Sequence, residues 1–112
     1  NNAAGSRKNS ALGPLAESGV RSVFLGGALG GLAEGAFRGC SALRRVSLPE
    51  GLKSVGAFCF AESGLGEVVF PASVKLIKEF AFWRCRSLKR VVFQKDSKLE
   101  RIERGAFSCS GL

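Results

Sequence analysis

Four cysteines and no histidine bound what this 112-residue chain can do chemically. Histidine is both the commonest general base at neutral pH and the commonest metal ligand. Without it a zinc site would need closely spaced thiolates, and Cys40, Cys59, Cys85 and Cys109 contain no Cys-x-x-Cys pair. A serine nucleophile would find no imidazole to take its proton, and the carboxylates are scattered instead of paired. The glycine-rich stretch "FLGGALGGLAEGAF", residues 24–37, has neither the Lys-Ser/Thr of a P-loop nor a full Gly-x-Gly-x-x-Gly. It reads as a turn. Catalysis, a metal and a cofactor are therefore not expected, and the question becomes one of surfaces.

The charge supports that turn of the question. Seventeen Lys and Arg against nine Asp and Glu leave a net charge of +8. It is uneven: residues 1–36 hold three basic and two acidic groups, and residues 37–112 hold fourteen and seven. A basic surface favours an acidic partner. Nucleic acid is disfavoured, because aromatic residues are not interleaved with the charges. No apolar run reaches the roughly 20 residues that cross a bilayer, so membrane insertion is not expected. The opening "NNAAGSRKNSALGP" lacks the apolar middle of a signal peptide and an initiating Met. That start suggests a processed or excised piece, with residues 1–14 a disordered leader or partial N-terminal cap.

The elements that would position such a surface come from a repeat. Leu15, Phe37, Phe60, Phe82 and Phe107 follow one another at spacings of 22, 23, 22 and 25. Each is followed by a small polar corner, and the first four then by a strand-like run: "VRSVFL" at 20–25, "LRRVSL" at 43–48, "LGEVVF" at 65–70 and "LKRVVF" at 88–93. Turn residues come next, "PEG" at 49–51 and "PAS" at 71–73 among them. A second apolar pair then recurs as Leu29/Leu32, Leu52/Val55, Val74/Ile77 and Leu99/Ile102. Two corner lengths occur, "FRGCSAL" and "FWRCRSL" being one residue longer than "FAESGL" and "FSCSGL".

Leu-x-x-Val-x-Leu at this period is a leucine-rich repeat pattern. A lone coil cannot cover its inward side chains, whereas stacked coils bury them and pair their strands. The expected fold is a β-rich (α/β) leucine-rich-repeat solenoid of about four coils with one short parallel sheet. Its coils are 15–36, 37–59, 60–81 and 82–106, with a partial coil at 107–112. The anchor Phe residues should stand in single file. The sequence stops at Leu112, the first strand place of a fifth coil, with no cap after it. This leads to the expectation of a fragment, or of end-to-end self-association.

"AFRGCSALRRVSLPEGLKSVGAFCF", residues 36–60, closely resembles the repeat of the BspA-like leucine-rich repeat proteins. The resemblance covers about residues 15–112 and rests on Ala36-Phe37, Cys40, Leu43, Val46, Leu48-Pro49 and Val55-Gly56. The first coil departs from it, with Leu15 for Phe and "GGALGG" for the proline turn, and the last full coil has Gln94 for Pro. The resemblance implies a right-handed solenoid from a cell-surface or secreted protein engaged in adhesion and protein binding.

Within each strand the outward places should carry the function. The second and third places read Arg21-Ser22, Arg44-Arg45, Gly66-Glu67 and Lys89-Arg90, and the fifth reads Phe24, Ser47, Val69 and Val92. Stacked in register, they would present a basic rim beside an apolar stripe, an arrangement suited to a protein ligand. The candidate binding residues are Arg21, Phe24, Arg44, Arg45, Val69, Lys89, Arg90 and Val92, with Trp83 as an outlier expected to be exposed. The alternatives are an assembly segment stacking through its ends, and polyanion binding by the basic face. For the cysteines the favoured reading is four reduced, buried, structural thiols. Cys40 and Cys85 share a column but stand two coils, roughly 9–10 Å, apart. Only Cys85 and Cys109, on adjacent coils, come within disulfide reach.

Overall fold

The computed structural model describes residues 19–112. The expected leader over residues 1–14 and the Leu15 anchor lie outside them. The described residues wind into a parallel β-solenoid without a helix. Each coil contributes two strands. The first row is β1 (Ser22–Phe24), β3 (Arg45–Ser47), β5 (Glu67–Phe70) and β7 (Arg90–Phe93). The second row is β2 (Gly31–Leu32), β4 (Ser54–Val55), β6 (Leu76–Ile77) and β8 (Arg101–Ile102). A return arc leads from the second row, past the anchor Phe, to the next first-row strand.

The aromatic file forms as the spacing requires. Successive rings of Phe37, Phe60, Phe82 and Phe107 stack at 5.2 Å, with interplanar angles of 5°, 15° and 10°. Phe60 and Phe82 are wholly buried. Such pairs contribute about 0.5–1.5 kcal/mol each beyond burial. Leu43, Leu65 and Leu88 fill the column before the strands, and Leu52, Val55, Val74 and Ile77 fill the second-row columns. Phe70 closes the core, edge-on to Phe82 and stacked on Phe93.

The backbone of the arc explains why the coils cannot separate. Alternate N–H groups bond within the coil as tight turns: Ala36 to Ala33, Arg38 to Gly35 and Cys40 to Phe37. The others cross to the next coil: Gly35 to Ala57, Phe37 to Cys59 and Gly39 to Ala61. The same crossing recurs from Phe58, Phe60 and Glu62 to Glu79, Ala81 and Trp83. Buried donors left without those carbonyls would cost about 1–3 kcal/mol each.

The sheet is less uniform than the repeat suggested. In place of one short sheet there are three ladders: the second row is continuous as β2-β4-β6-β8, but the first row divides into β1-β3 and β5-β7. Corner length is the cause. Where the short corner of the third coil follows the long corner of the second, Gly64 is drawn onto the carbonyls of Ser41 and Leu43 and the guanidinium of Arg44. A Cβ there would have no room. The next strand starts displaced, and the bond from Gly66 N–H to Arg44 C=O is stretched to 3.4 Å. Between the short third corner and the long fourth one, all four residues of β5 and β7 pair in register.

Phe60→Ala should cost about 3–5 kcal/mol in urea unfolding, because it opens the stack on both sides. Phe24→Ser, at a place 81% exposed, should stay within about 0.5 kcal/mol. At the seam, Gly64→Ala should lower the thermal midpoint by several degrees, while Gly66→Ala, which has no close neighbour, should not.

Candidate functional site

Strand alternation puts the third and fifth places of β1, β3, β5 and β7 on one outward face. Ser22 pairs with Arg45 and Phe24 with Ser47; across the seam, Glu67 pairs with Arg90 and Val69 with Val92. The apolar stripe is therefore interrupted by Ser47. Phe24 stands apart at 81% exposed, Val69 is 37% exposed, and Val92 is half-buried.

The five basic candidates are not equivalent: Arg45 and Arg90 stand at third places of this face, and Arg21, Arg44 and Lys89 at the places just before the strands. Arg44 turns its guanidinium back to the chain, donating to the Ser41 carbonyl at 2.8 Å and the Gly64 carbonyl at 3.4 Å. Arg90 lies 3.6 Å from the carboxylate of Glu67. Lys89 occupies the place equivalent to Arg44 one long corner later, and its ammonium lies beside Gly111. Among the described residues, Arg21 and Arg45 alone of the five are without a hydrogen-bond, ion-pair or close side-chain neighbour of this kind.

The seam between β3 and β5 opens a groove of about 300 Å³. Val46 and Leu48, half-buried residues that pack against the core, line it together with Val69 and Pro71. Ser47, Glu50 and Gln94 complete the lining. The sequence reading missed this feature. Its signal was the one-residue difference between "FRGCSAL" and "FAESGL", which reads as a variant corner until the coils are stacked.

Trp83 is not exposed as expected. It lies half-buried on the return arc, edge-on to Phe58 and Phe80, whose own rings stack at 5.2 Å. Arg84 covers the Trp83 ring at 4.7 Å and Arg38 covers Phe58 at 4.6 Å. Glu62 stands 3.8 Å from each of those two arginines. Phe58 and Phe80 were also missed. They share a left-handed column with Gly35 and Gly105, at φ of 56° and 57°. Gly105 leaves the space that the Phe80 ring occupies. A column reading Gly35, Phe58, Phe80, Gly105 was the available sign.

All four thiols are free, so the Cys85–Cys109 pairing does not form. Cys85 shares its column with Ser63, and its S–H donates to the Phe60 carbonyl at 3.0 Å. Cys109 sits one place earlier in its arc, in the left-handed column of Gly39, Glu62 and Arg84. It is exposed, which corrects the expectation of four buried thiols. Burial pushes the Cys59 thiol up to about 12 and raises those of Cys40 and Cys85, because a thiolate is disfavoured away from water.

A repeat of stacked aromatic anchors, Leu-x-x-Val strands and proline turns fits the model of the BspA type leucine rich repeat region, which matches residues 17–112 in six copies. The chain belongs to the BspA-type leucine-rich repeat family. Among solved structures, this BspA-type chain resembles a leucine rich cell surface protein from Faecalibacterium prausnitzii A2-165. The TM-score is 0.66 at 26% sequence identity. The match covers 70% of this chain and 20% of that one, so the shared part is a small portion of the longer protein. No curated protein matches the chain. No helix among the described residues is long and apolar enough to cross a membrane.

Titration of the native protein with a thiol-specific reagent at pH 7.5 should modify one cysteine per chain, Cys109. All four should react once urea unfolds it. Rapid reaction of more than one native thiol would contradict the burial of the other three.

Proposed function

We propose that this chain is a non-enzymatic binding module that holds a protein ligand on the first-row strand face, working at a cell surface. The observation that carries the reading is the combination of Phe24, 81% exposed, with Arg21 and Arg45. An exposed aromatic with guanidinium groups that have no ion pair among the described residues supplies both contact area and charge-assisted hydrogen bonds to carboxylates. Glu67, the acidic residue of these strand places, is already engaged by Arg90. Val69 and Val92 extend the contact past the seam. The cell-surface setting is supported by the description of the Faecalibacterium protein as a surface protein.

Arg44 and Lys89 now act mainly at the corners, and Arg90 neutralises Glu67, so Arg21 and Arg45 are the charges left for a ligand. Trp83 takes no part in this face. Its place in the arc cluster makes it a packing residue of the other side of the coil.

The test is an array of soluble peptides graded from net charge −4 to +4, probed with the native chain at about 50 mM and about 300 mM salt. Acidic peptides should be retained at low salt and released at high salt. Arg21→Glu with Arg45→Glu should cut that retention at least tenfold, with the circular dichroism of the fold unchanged. Retention that ignores both charge reversal and salt would place the ligand elsewhere.

A further inference from the structure

The arc cluster of Phe58, Phe80 and Trp83 is closed by its own cations and by Glu62. Cys109 is a single exposed thiol with nothing beside it that points to a ligand. The seam is different, because it joins a recess lined by Val46, Leu48, Val69 and Pro71 to Arg45, which has no ion pair among the described residues.

Resting on the strand-face reading, we infer that the seam between β3 and β5 is the specificity slot for that ligand: it takes one aliphatic side chain from an extended, acidic segment of a partner protein. Three observations converge on this. First, four of the seven residues that line the recess are apolar. Val46 and Leu48 reach it from the core and Val69 and Pro71 wall it, while Glu50 and Gln94 also line it. An aliphatic side chain entering it leaves water for contact with those four residues. Second, the slot is built by the backbone. Gly64 packs against the Ser41 and Leu43 carbonyls where the two ladders part, and the Arg44 guanidinium is tied to the Ser41 and Gly64 carbonyls beside it.

Third, charge complementarity selects the occupant. Arg45 lies in β3, two residues before Ser47 and on the same outward face, and Arg21 lies one coil away. Carboxylates flanking the inserted side chain would meet these guanidinium groups. Glu50 lies beyond the far end of β3, past the Pro49 turn, and would repel a carboxylate there. The slot thus has a basic end and an acidic end. A segment with its acidic residues on one side of the aliphatic anchor fits in a single direction, whereas a uniform polyanion meets Glu50 and has nothing to place in the recess.

The probe is a fluorescent nine-residue peptide with a central Leu and three acidic residues on one flank, read by anisotropy against the same peptide with a central Ser. The Leu peptide should bind the native chain about tenfold more tightly. Ser47→Phe, which fills the mouth from an exposed place, should abolish the preference, so that the two peptides bind alike. Val69→Ser, which removes part of a wall, should reduce the preference without filling the mouth. Equal binding of the two peptides overturns the slot, and it leaves the strand-face reading standing if Arg45→Glu still weakens both. If neither peptide binds, or if Arg45→Glu changes nothing, the strand-face reading itself is overturned and the slot falls with it. Binding of heparin that is tighter than either peptide and indifferent to Ser47→Phe would also overturn the proposal, in favour of a polyanion on the basic rim.

Discussion

No coil of this protein can satisfy its own backbone. On the three return arcs around Phe37, Phe60 and Phe82, alternate N–H groups are spent on tight turns inside the coil and the rest point along the solenoid axis to carbonyls of the neighbour. This division sets the period. A residue added or removed within the arc would exchange the two sets of donors, so the places around each anchor Phe cannot drift. Variation in length is confined to the corner and to the turn after the first strand. There the coils do differ, by one residue at the corners and by the extended "QKDSK" turn at 94–98.

The arc obtains its curvature from left-handed residues two places before and two places after each anchor. Glycine fills Gly35, Gly39 and Gly105, but Phe58, Glu62, Phe80, Arg84 and Cys109 adopt the same conformation with side chains. Each costs roughly 1–2 kcal/mol relative to an ordinary backbone. The side chains at these places show what offsets the cost. Phe58 and Phe80 stack on each other and against Trp83; Arg38 and Arg84 lie over the rings; Glu62 bridges the arginines. Exposed ion pairs at 3.8 Å contribute little alone, so the stacking carries most of the compensation. This side of the solenoid is committed to holding its own shape.

The strand face is under no such obligation. Its outward side chains contribute little to the core, and its ladder can break without loss of the solenoid, because the second row runs unbroken through all four coils. A short corner following a long one converts a uniform sheet into two ladders with a recess between them. The same event recruits Arg44 to the corner carbonyls. The surface irregularity therefore arises from a length change that the rest of the fold absorbs.

The repeat, the aromatic file and the inward columns were legible in the residues alone, because each inward place is filled by the same kind of side chain at a spacing the stacked backbone enforces. Phe37, Phe60, Phe82 and Phe107 could be placed before any coordinate was seen, as could the outward alternation that exposes Phe24 and Arg45. The exposure of Cys109, the partial burial of Trp83 and the inward turn of Arg44 were not legible. Each depends on which residue of the adjoining coil lies alongside, and a one-residue difference in corner length shifts that neighbour without altering the local pattern. The seam belongs to the same class. Periodicity along the chain determines what faces inward, and only the stacking of unequal coils decides where the surface opens.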